Sequence, residues 1–183
     1  MSYPDITDAE RDAVMAVLQT PNLSMGPQIE AFENSIAEYV GAKHAIAVNS
    51  GTAGLHLCVR AAGIAAGDLV ITTPFSFVAS TNVILFEKAI PVFVDVDPQT
   101  GNIRPDLVEQ AVKDLQHGGE LAKKWLPRKG AGSSGKVKAI LAVDVFGQPA
   151  DFDSLQRISH ENNLKLIEDS APAAMAARAM AAT

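Results

Sequence analysis

A short run of small polar residues follows an apolar segment near residue 50. Residues 45–48 are apolar, and after Asn49 come Ser50, Gly51, Thr52 and Ala53, where a helical pattern begins. Small residues let the backbone approach a ligand closely, and the first turn of a helix offers unpaired N–H groups and the positive end of its dipole. This turn could therefore hold a phosphate, and the alternative is that Thr52 only caps its own helix.

Further along the chain, two carboxylates and one aromatic residue also lie shortly after apolar segments. Glu168 and Asp169 follow the apolar segment 164–167, and Phe77 follows Pro74. Because side chains alternate along a strand, one carboxylate should face a cleft and the other should face away. The inward carboxylate could neutralise a cationic ligand atom or cap the following helix. Phe77 could stack on a planar heterocycle or belong to the core.

Two helices are predicted before this region. The spacing of Thr7 and Glu10 is that of a capping box and predicts a helix that ends near Gln19. A second helix should begin after Gly26-Pro27 and end at Gly41. Its inward-facing residues are predicted to be Ile29, Phe32, Ile36 and Val40.

Beyond residue 41 the pattern alternates between strands and helices. The predicted strands are 45–48, 69–72, 91–96, 137–143 and 164–167. The predicted helices are 52–62, 76–87, 105–115 and 152–162, the last with Asp151 as its cap. The glycine-rich segment 117–136 is expected to be a surface insertion, and the alanine-rich tail 172–183 does not continue the pattern.

Apolar strands separated by amphipathic helices predict an α/β fold, a three-layer, mainly parallel sheet with helices on both faces. Ligands of such sheets bind beyond the carboxyl ends of the strands. The turn at Ser50, the segment 74–77 and the segment 169–171 all follow predicted strands. They are therefore predicted to share one cleft.

Composition excludes several classes of function. The chain has 183 residues, 48% of them hydrophobic, and a formal net charge of −6. It is about one domain long, and its charge argues against nucleic acid or an anionic membrane surface as a partner. The single cysteine, Cys58, excludes an internal disulfide and a multi-cysteine metal site and is predicted to pack in the core. Without a secretory signal pattern, a cytoplasmic location is expected.

Six stretches carry a resemblance to a known family. They are residues 24–33, 48–55, 73–80, 94–97, 146–151 and 166–171. Together they resemble the sugar aminotransferases of the DegT/DnrJ/StrS family, which belong to fold type I of the enzymes dependent on pyridoxal 5'-phosphate (PLP). The resemblance implies that residues 1–171 form part of the large domain of such a transferase, with N-terminal helices in 5–41 and an α/β part in 42–171.

The resemblance also implies roles for individual residues. Gly51, Thr52 and Ala53 would hold the PLP phosphate, Phe77 would stack on the pyridine ring, and Asp169 would pair with the pyridinium nitrogen. A carboxylate there favours the protonated ring, which accepts electrons from the substrate. The implied substrates are a nucleotide-linked keto sugar and an amino donor, glutamate, and the implied assembly is a homodimer.

The resemblance stops shortly after Asp169. The family's Schiff-base lysine lies a few dozen residues beyond that position, so no catalytic residue is carried over to this chain. The family also has Gln, His or Glu where this chain has Pro172. We therefore expect a truncated or frameshifted gene, a chain with an exposed apolar edge and poor solubility, and no complete transamination by this polypeptide.

Three other interpretations remain open at this point. The chain could be a noncatalytic fragment that binds PLP or pairs with a full-length relative. It could also derive from a PLP-dependent sugar dehydratase, in which histidine replaces the lysine. An unrelated nucleotide-binding domain is disfavoured, because the turn at Ser50 lacks both the spaced glycines of a dinucleotide fingerprint and the Gly-Lys-Ser/Thr of a P-loop.

Overall fold

The computed structural model of the protein describes residues 5–128 and 135–171. The predicted tail 172–183, with Pro172, lies outside the described residues, as does the central part of the glycine-rich segment, 129–134. The chain divides after Ala47 into two compact units.

The first unit contains two helices, α1 (Asp8–Leu18) and α2 (Pro27–Val40). The Thr7 backbone N–H donates to the Glu10 carboxylate at 2.7 Å, which confirms the capping box. Gly41 ends α2 in the left-handed region, with φ of 70°, as a C-terminal glycine can. The prediction that α2 buries one face is wrong, because Phe32 of that face is 57% exposed and neither helix contains a fully buried residue.

The second unit alternates between helices and strands. In chain order it contains α3 (Gly51–Ala61), β1 (Leu69–Thr72), α4 (Ala79–Phe86), β2 (Ile90–Phe93), α5 (Pro105–His117), α6 (Gly119–Lys123), β3 (Val137–Val143), α7 (Phe152–Glu161) and β4 (Lys165–Asp169). The strands β1 and β3 have the predicted bounds. Asp151 caps α7 as predicted, because its side chain accepts from the Ser154 N–H.

One predicted strand does not form. Residues 45–48 have the apolar pattern of a strand, but no described segment pairs with them. A strand exists only where a neighbour accepts and donates its ladder hydrogen bonds. The apolar pattern of 45–48 is therefore not enough to make it a strand among the described residues.

The four strands form a sheet of order β2-β1-β3-β4, in which every pair is parallel. Ile71 of the central strand β1 lies opposite Val92 on one side and Ile140 on the other. The chain first adds β2 on one side of β1 and then crosses to add β3 on the other side. This reversal is a topological switch point, where the loops after β1 and β3 separate and leave a crevice.

Helices cover both faces of this sheet. One face packs Ile71 and Ile140 against α5 and α7, and the other packs Val70 and Leu141 against α3 and α4. The predicted three-layer α/β class is therefore confirmed. In the described ranges, no helix has the length and apolar character needed to cross a membrane.

Two smaller predictions about packing are wrong. The segment 117–136 is not wholly a surface insertion, because Ala122 is buried and Trp125 packs on the core and donates to Asp114 at 2.9 Å. Cys58 is exposed, whereas Val59 of the same helix is fully buried. The buried stripe of α3 is thus narrower than its apolar pattern, and Cys58 lies at the edge of that pattern.

Thr72, the last residue of β1, is fully buried, and its hydroxyl oxygen has no hydrogen-bond partner among the described residues. A buried hydroxyl without a partner destabilises a fold, whereas an apolar group of the same shape does not. We therefore expect Thr72→Val to raise the free energy of unfolding by about 1 kcal/mol, measured by urea denaturation.

The neighbouring residue provides a matched control for this variant. Thr73 is equally buried, but its hydroxyl accepts from the Phe75 backbone N–H at 3.1 Å. Thr73→Val leaves that N–H without its acceptor and should lower the free energy of unfolding by about 1 kcal/mol. Equal effects of the two variants would contradict the assignment of the unsatisfied hydroxyl to Thr72.

Candidate functional site

A cavity of about 580 Å³ lies beyond the carboxyl ends of β1, β3 and β4. The three stretches predicted to share a cleft all contribute to it, so that prediction is confirmed. The lining residues are Gly51, Thr52, Leu55, Pro74, Phe75, Ser76, Phe77, Ala79, Val143, Val145, Phe146, Asp169 and Ala171. The cavity belongs entirely to the second unit.

The N-terminus of α3 contributes to the lining of the cavity. Ser50, not Thr52, is the N-cap: its side chain accepts from the Ala53 N–H at 3.2 Å, so the alternative that Thr52 caps the helix is wrong. The Thr52 hydroxyl makes no hydrogen bond to any described residue. Gly51 and Thr52 line the cavity, whereas Ala53 does not, and its N–H is already used by the cap.

The loop after β1 presents Phe77 to the cavity. The helix predicted to begin at residue 76 begins at Ala79 instead. Phe75 donates its N–H to the Thr73 hydroxyl, so the chain turns before the helix and Ser76 and Phe77 remain in the loop. Phe77 is 78% exposed and is therefore not a core residue among the described residues. Its ring is available to a ligand.

Asp169 also lines the cavity. It ends β4 and is only 7% exposed. One carboxylate oxygen, Oδ2, accepts from the Ser80 hydroxyl at 2.9 Å, and the other, Oδ1, accepts from the Ala171 N–H at 3.3 Å. Within residues 5–128 and 135–171, no cationic side chain pairs with this carboxylate. A buried charge is costly without a counter-charge, so the site favours a ligand with a positive group here.

Glu168 faces the other side of the sheet, as the alternation of side chains predicts. It lies near Phe152 and Gln156 of α7, away from the main cavity. Burial raises the pKa of the Glu168 carboxyl, and the nearby Asp144 carboxylate raises it further, although a hydrogen bond from Ser170 opposes both. Of the two adjacent carboxylates, Asp169 is thus the one that a ligand in the cavity can reach.

The remaining wall is aromatic and was missed by sequence reasoning. Phe75 and Phe146 meet edge to face, with ring centroids 5.9 Å apart. Phe146 is 85% exposed and has a positive φ of 54°, which is unfavourable for a residue with a large side chain. Such a conformation persists only where the surroundings impose it.

A buried asparagine imposes it. Asn102 is 4% exposed, and its amide nitrogen donates to the carbonyls of Gln148 and Pro149 at 2.8 and 2.9 Å. Its amide oxygen accepts from the Val145 N–H at 3.1 Å. These hydrogen bonds hold the residues before and after Phe146 in the turn. No local pattern signals this role, because the partners are 43 or more positions away in the sequence.

The arrangement suits one kind of ligand. Backbone donors and a hydroxyl, an exposed aromatic ring and a buried carboxylate all line the same cavity. Helix N-termini bind anions, aromatic faces pack on planar rings, and a carboxylate pairs with a cation. The site can therefore hold a planar ring with an anionic arm and a cationic atom.

Comparison with known proteins agrees with this description of the site. The model of the DegT/DnrJ/EryC1/StrS aminotransferase family matches residues 4–179. EpsN of Bacillus subtilis, which carries the name of a pyridoxal phosphate-dependent aminotransferase, is 38% identical over 172 residues, or 93% of this chain. The GDP-perosamine synthase of Caulobacter vibrioides is 36% identical over 174 residues, or 94% of this chain.

The fold is also similar to solved structures. An aminotransferase from Psychrobacter cryohalolentis superposes with a TM-score of 0.77 and 35% sequence identity over 94% of this chain. The chain spans 40% of the length of EpsN, 41% of the GDP-perosamine synthase and 39% of the Psychrobacter chain. The likeness thus covers nearly all of this chain and about two fifths of each relative.

Proposed function

The chain belongs to the DegT/DnrJ/EryC1/StrS aminotransferase family, and we propose that it forms the cofactor-holding part of a PLP-dependent aminotransferase. The proposed substrates of the whole protein are a nucleotide-linked keto sugar and glutamate, the amino donor. The observation that carries the proposal is the buried Asp169, which lines an otherwise largely apolar cavity and has no cationic partner among the described residues. The name of the GDP-perosamine synthase, a relative in this family, supports the substrate class.

The residues present fit PLP. Its phosphate is an anionic arm, its pyridine ring is planar, and its ring nitrogen is cationic when protonated. Gly51 and Thr52 supply free donors for the phosphate, and Phe77 has an exposed ring. Ala53 was also predicted to hold the phosphate. Because its N–H donates to the Ser50 side chain, Ala53 contributes only through the helix dipole unless that hydrogen bond breaks.

In the proposed mechanism, each residue binds or orients one part of the cofactor. PLP supplies an electron sink that lets an amino group move from donor to acceptor. Thr52 donates its hydroxyl, and Gly51 its N–H, to the phosphate. Phe77 packs on the ring and excludes water from it. Asp169 accepts the N–H of the ring nitrogen and holds the proton there.

Other parts of the proposal concern the whole protein. We assign residues 1–171 to its large domain and propose that two copies form the functional dimer, as the resemblance implies. A cytoplasmic location agrees with the single cysteine of the sequence. The family's catalytic lysine has no counterpart among the matched positions of this chain, so the proposal concerns cofactor binding by this chain and catalysis by the whole protein.

Cofactor binding can be tested directly with pyridoxamine 5'-phosphate (PMP), the amine form of the cofactor. PMP has no aldehyde and therefore does not label surface lysines, as PLP does. In isothermal titration calorimetry of this polypeptide we expect saturable binding of one PMP per chain, weakened by inorganic phosphate. Absence of saturable binding in a folded sample would contradict the proposed function.

The activity can be tested in a chimera. Residues 4–171 of this chain would replace the matching segment of the GDP-perosamine synthase, which supplies its own remaining sequence. We expect the chimera to form GDP-perosamine, detected by mass spectrometry. A chimera that folds and binds PMP but forms no product would count against the aminotransferase role of this segment.

A further inference from the structure

A short series of hydroxyl groups leads to Asp169. Ser80, in the first turn of α4, is fully buried, and its Oγ lies 2.9 Å from Asp169 Oδ2. Ser76, in the loop that lines the cavity, has its Oγ 2.8 Å from Ser80 Oγ. The two serines and the carboxylate come from different elements, since Ser80 and Asp169 are 89 positions apart. This contact therefore depends on the tertiary fold.

The lengths of the contacts and the number of available protons together favour one direction for these hydrogen bonds. Each hydroxyl has one hydrogen, and an ionised carboxylate only accepts. The Phe77 carbonyl oxygen is a second acceptor for both hydroxyls, at 3.2 Å from Ser76 Oγ and 3.3 Å from Ser80 Oγ. The contacts of Ser76 with Ser80 and of Ser80 with Asp169 are shorter, at 2.8 and 2.9 Å, so we take Ser80 as the donor to Asp169 and Ser76 as the donor to Ser80. Each donor in turn increases the acidity of the next, which strengthens the bond to the carboxylate.

The consequence for Asp169 is that its two oxygens differ. Oδ2 is held by the Ser80 hydroxyl, whereas Oδ1 has only the longer contact with the Ala171 N–H. The side-chain torsion next to an aspartate carboxylate is broad, so the plane of the group is set by its hydrogen bonds. A firm donor at Oδ2 therefore fixes the direction in which Oδ1 points.

We propose that Ser80, supported by Ser76, is a positioning residue that orients the Asp169 carboxylate toward the protonated ring nitrogen of the cofactor. This inference rests on the proposed function. Ser80 does not line the cavity and acts only through Asp169. Its effect should therefore depend on the presence of the ring nitrogen, whereas a purely structural effect would not.

The test compares PMP with its 1-deaza analogue, in which a C–H group replaces the ring nitrogen. The ratio of the two dissociation constants, from calorimetry on the same polypeptide, isolates the interaction at that nitrogen. Ser80→Ala should weaken PMP binding about tenfold, the loss of about 1.4 kcal/mol, and leave binding of the analogue nearly unchanged. Ser80→Thr retains the hydroxyl and should restore the ratio.

Two further variants complete the design. Ser159→Ala is the matched control, because Ser159 is also a buried helical serine but donates to the Gln156 carbonyl, remote from the cavity. It should leave the ratio unchanged. Asp169→Ala should remove the preference for PMP altogether. Circular dichroism spectra verify that each variant is folded.

The outcomes separate the inference from the function on which it rests. If Asp169→Ala removes the preference and Ser80→Ala does not, the role of Ser80 is overturned and the proposed function stands. Equal weakening of PMP and analogue by Ser80→Ala also overturns it, because that pattern belongs to a structural residue. If the unsubstituted chain does not prefer PMP, the assignment of Asp169 fails and the inference falls with it.

Discussion

Replacing Asp169 with alanine should weaken PMP binding about 100-fold, because removal of one partner of a buried charge pair costs about 2–5 kcal/mol. The same change should leave the free energy of unfolding of the unliganded chain within about 1 kcal/mol of its original value. The carboxylate is buried without a cationic partner among the described residues. Its removal relieves an uncompensated charge, and this gain offsets the loss of the Ser80 and Ala171 contacts.

Calorimetry with PMP and thermal unfolding in its absence measure the two effects separately. Asp153→Ala is the control for loss of a carboxylate, because Asp153 is exposed on α7 and does not line the cavity. It should not change PMP affinity. The contrary outcome is that Asp169→Ala lowers the free energy of unfolding by several kcal/mol, with a loss of PMP affinity no larger than this loss of stability explains. In that case the residue is structural and its proposed role at the cofactor is wrong.

Replacing Asn102 with alanine should lower the free energy of unfolding by about 3 kcal/mol, because buried polar groups lose their partners. The change removes three hydrogen bonds and leaves one N–H and two carbonyls of the turn without them. The turn that carries Phe146 then no longer has to keep its unfavourable backbone conformation. We expect the aromatic wall of the cavity to become mobile as well.

Urea denaturation measures the stability, and hydrogen exchange at the Val145 amide reports the turn. The Val145 N–H should exchange much faster in the variant, since Asn102 is its acceptor. Asn82→Ala is a suitable control, because Asn82 is partly buried on α4 but its side chain has no hydrogen bond to a described residue. A loss of stability of similar size in both variants would show that the Asn102 contacts are unimportant.

Much of the sheet could be predicted because its strands are nearly continuous apolar runs. Strands β1 and β3 are buried along almost their whole length, so their composition alone marks their bounds. The segment 45–48 has the same composition but no described partner, and pairing is a property of two segments. Likewise, the apolar pattern of α2 predicted which residues form its apolar face but not which segment would cover that face.

The candidate site was predicted in outline for a similar reason. The rule that ligands bind at strand ends selected Phe77 and Asp169 at strands that form, and Thr52 at a predicted strand, 45–48, that does not. All three residues nevertheless line one cavity. Ser80 and Asn102 were missed, because each acts through side-chain contacts with a distant segment. Their roles depend on the three-dimensional arrangement, and a single serine or asparagine in a sequence carries no sign of it.

The order of strands in the sheet also affects how the chain reaches its native state. Strands β1 and β2 are joined through α4 alone, so this unit can form from neighbouring residues. Strands β3 and β4 are likewise joined through α7, whereas the pairing of β1 with β3 closes a longer loop that contains β2, α5 and α6. Closing long loops slows folding. Asp169 belongs to the β3-β4 half of the sheet, whereas Phe77 and Ser80 follow β1, so a molecule bound in the cavity would stabilise the pairing of the two halves.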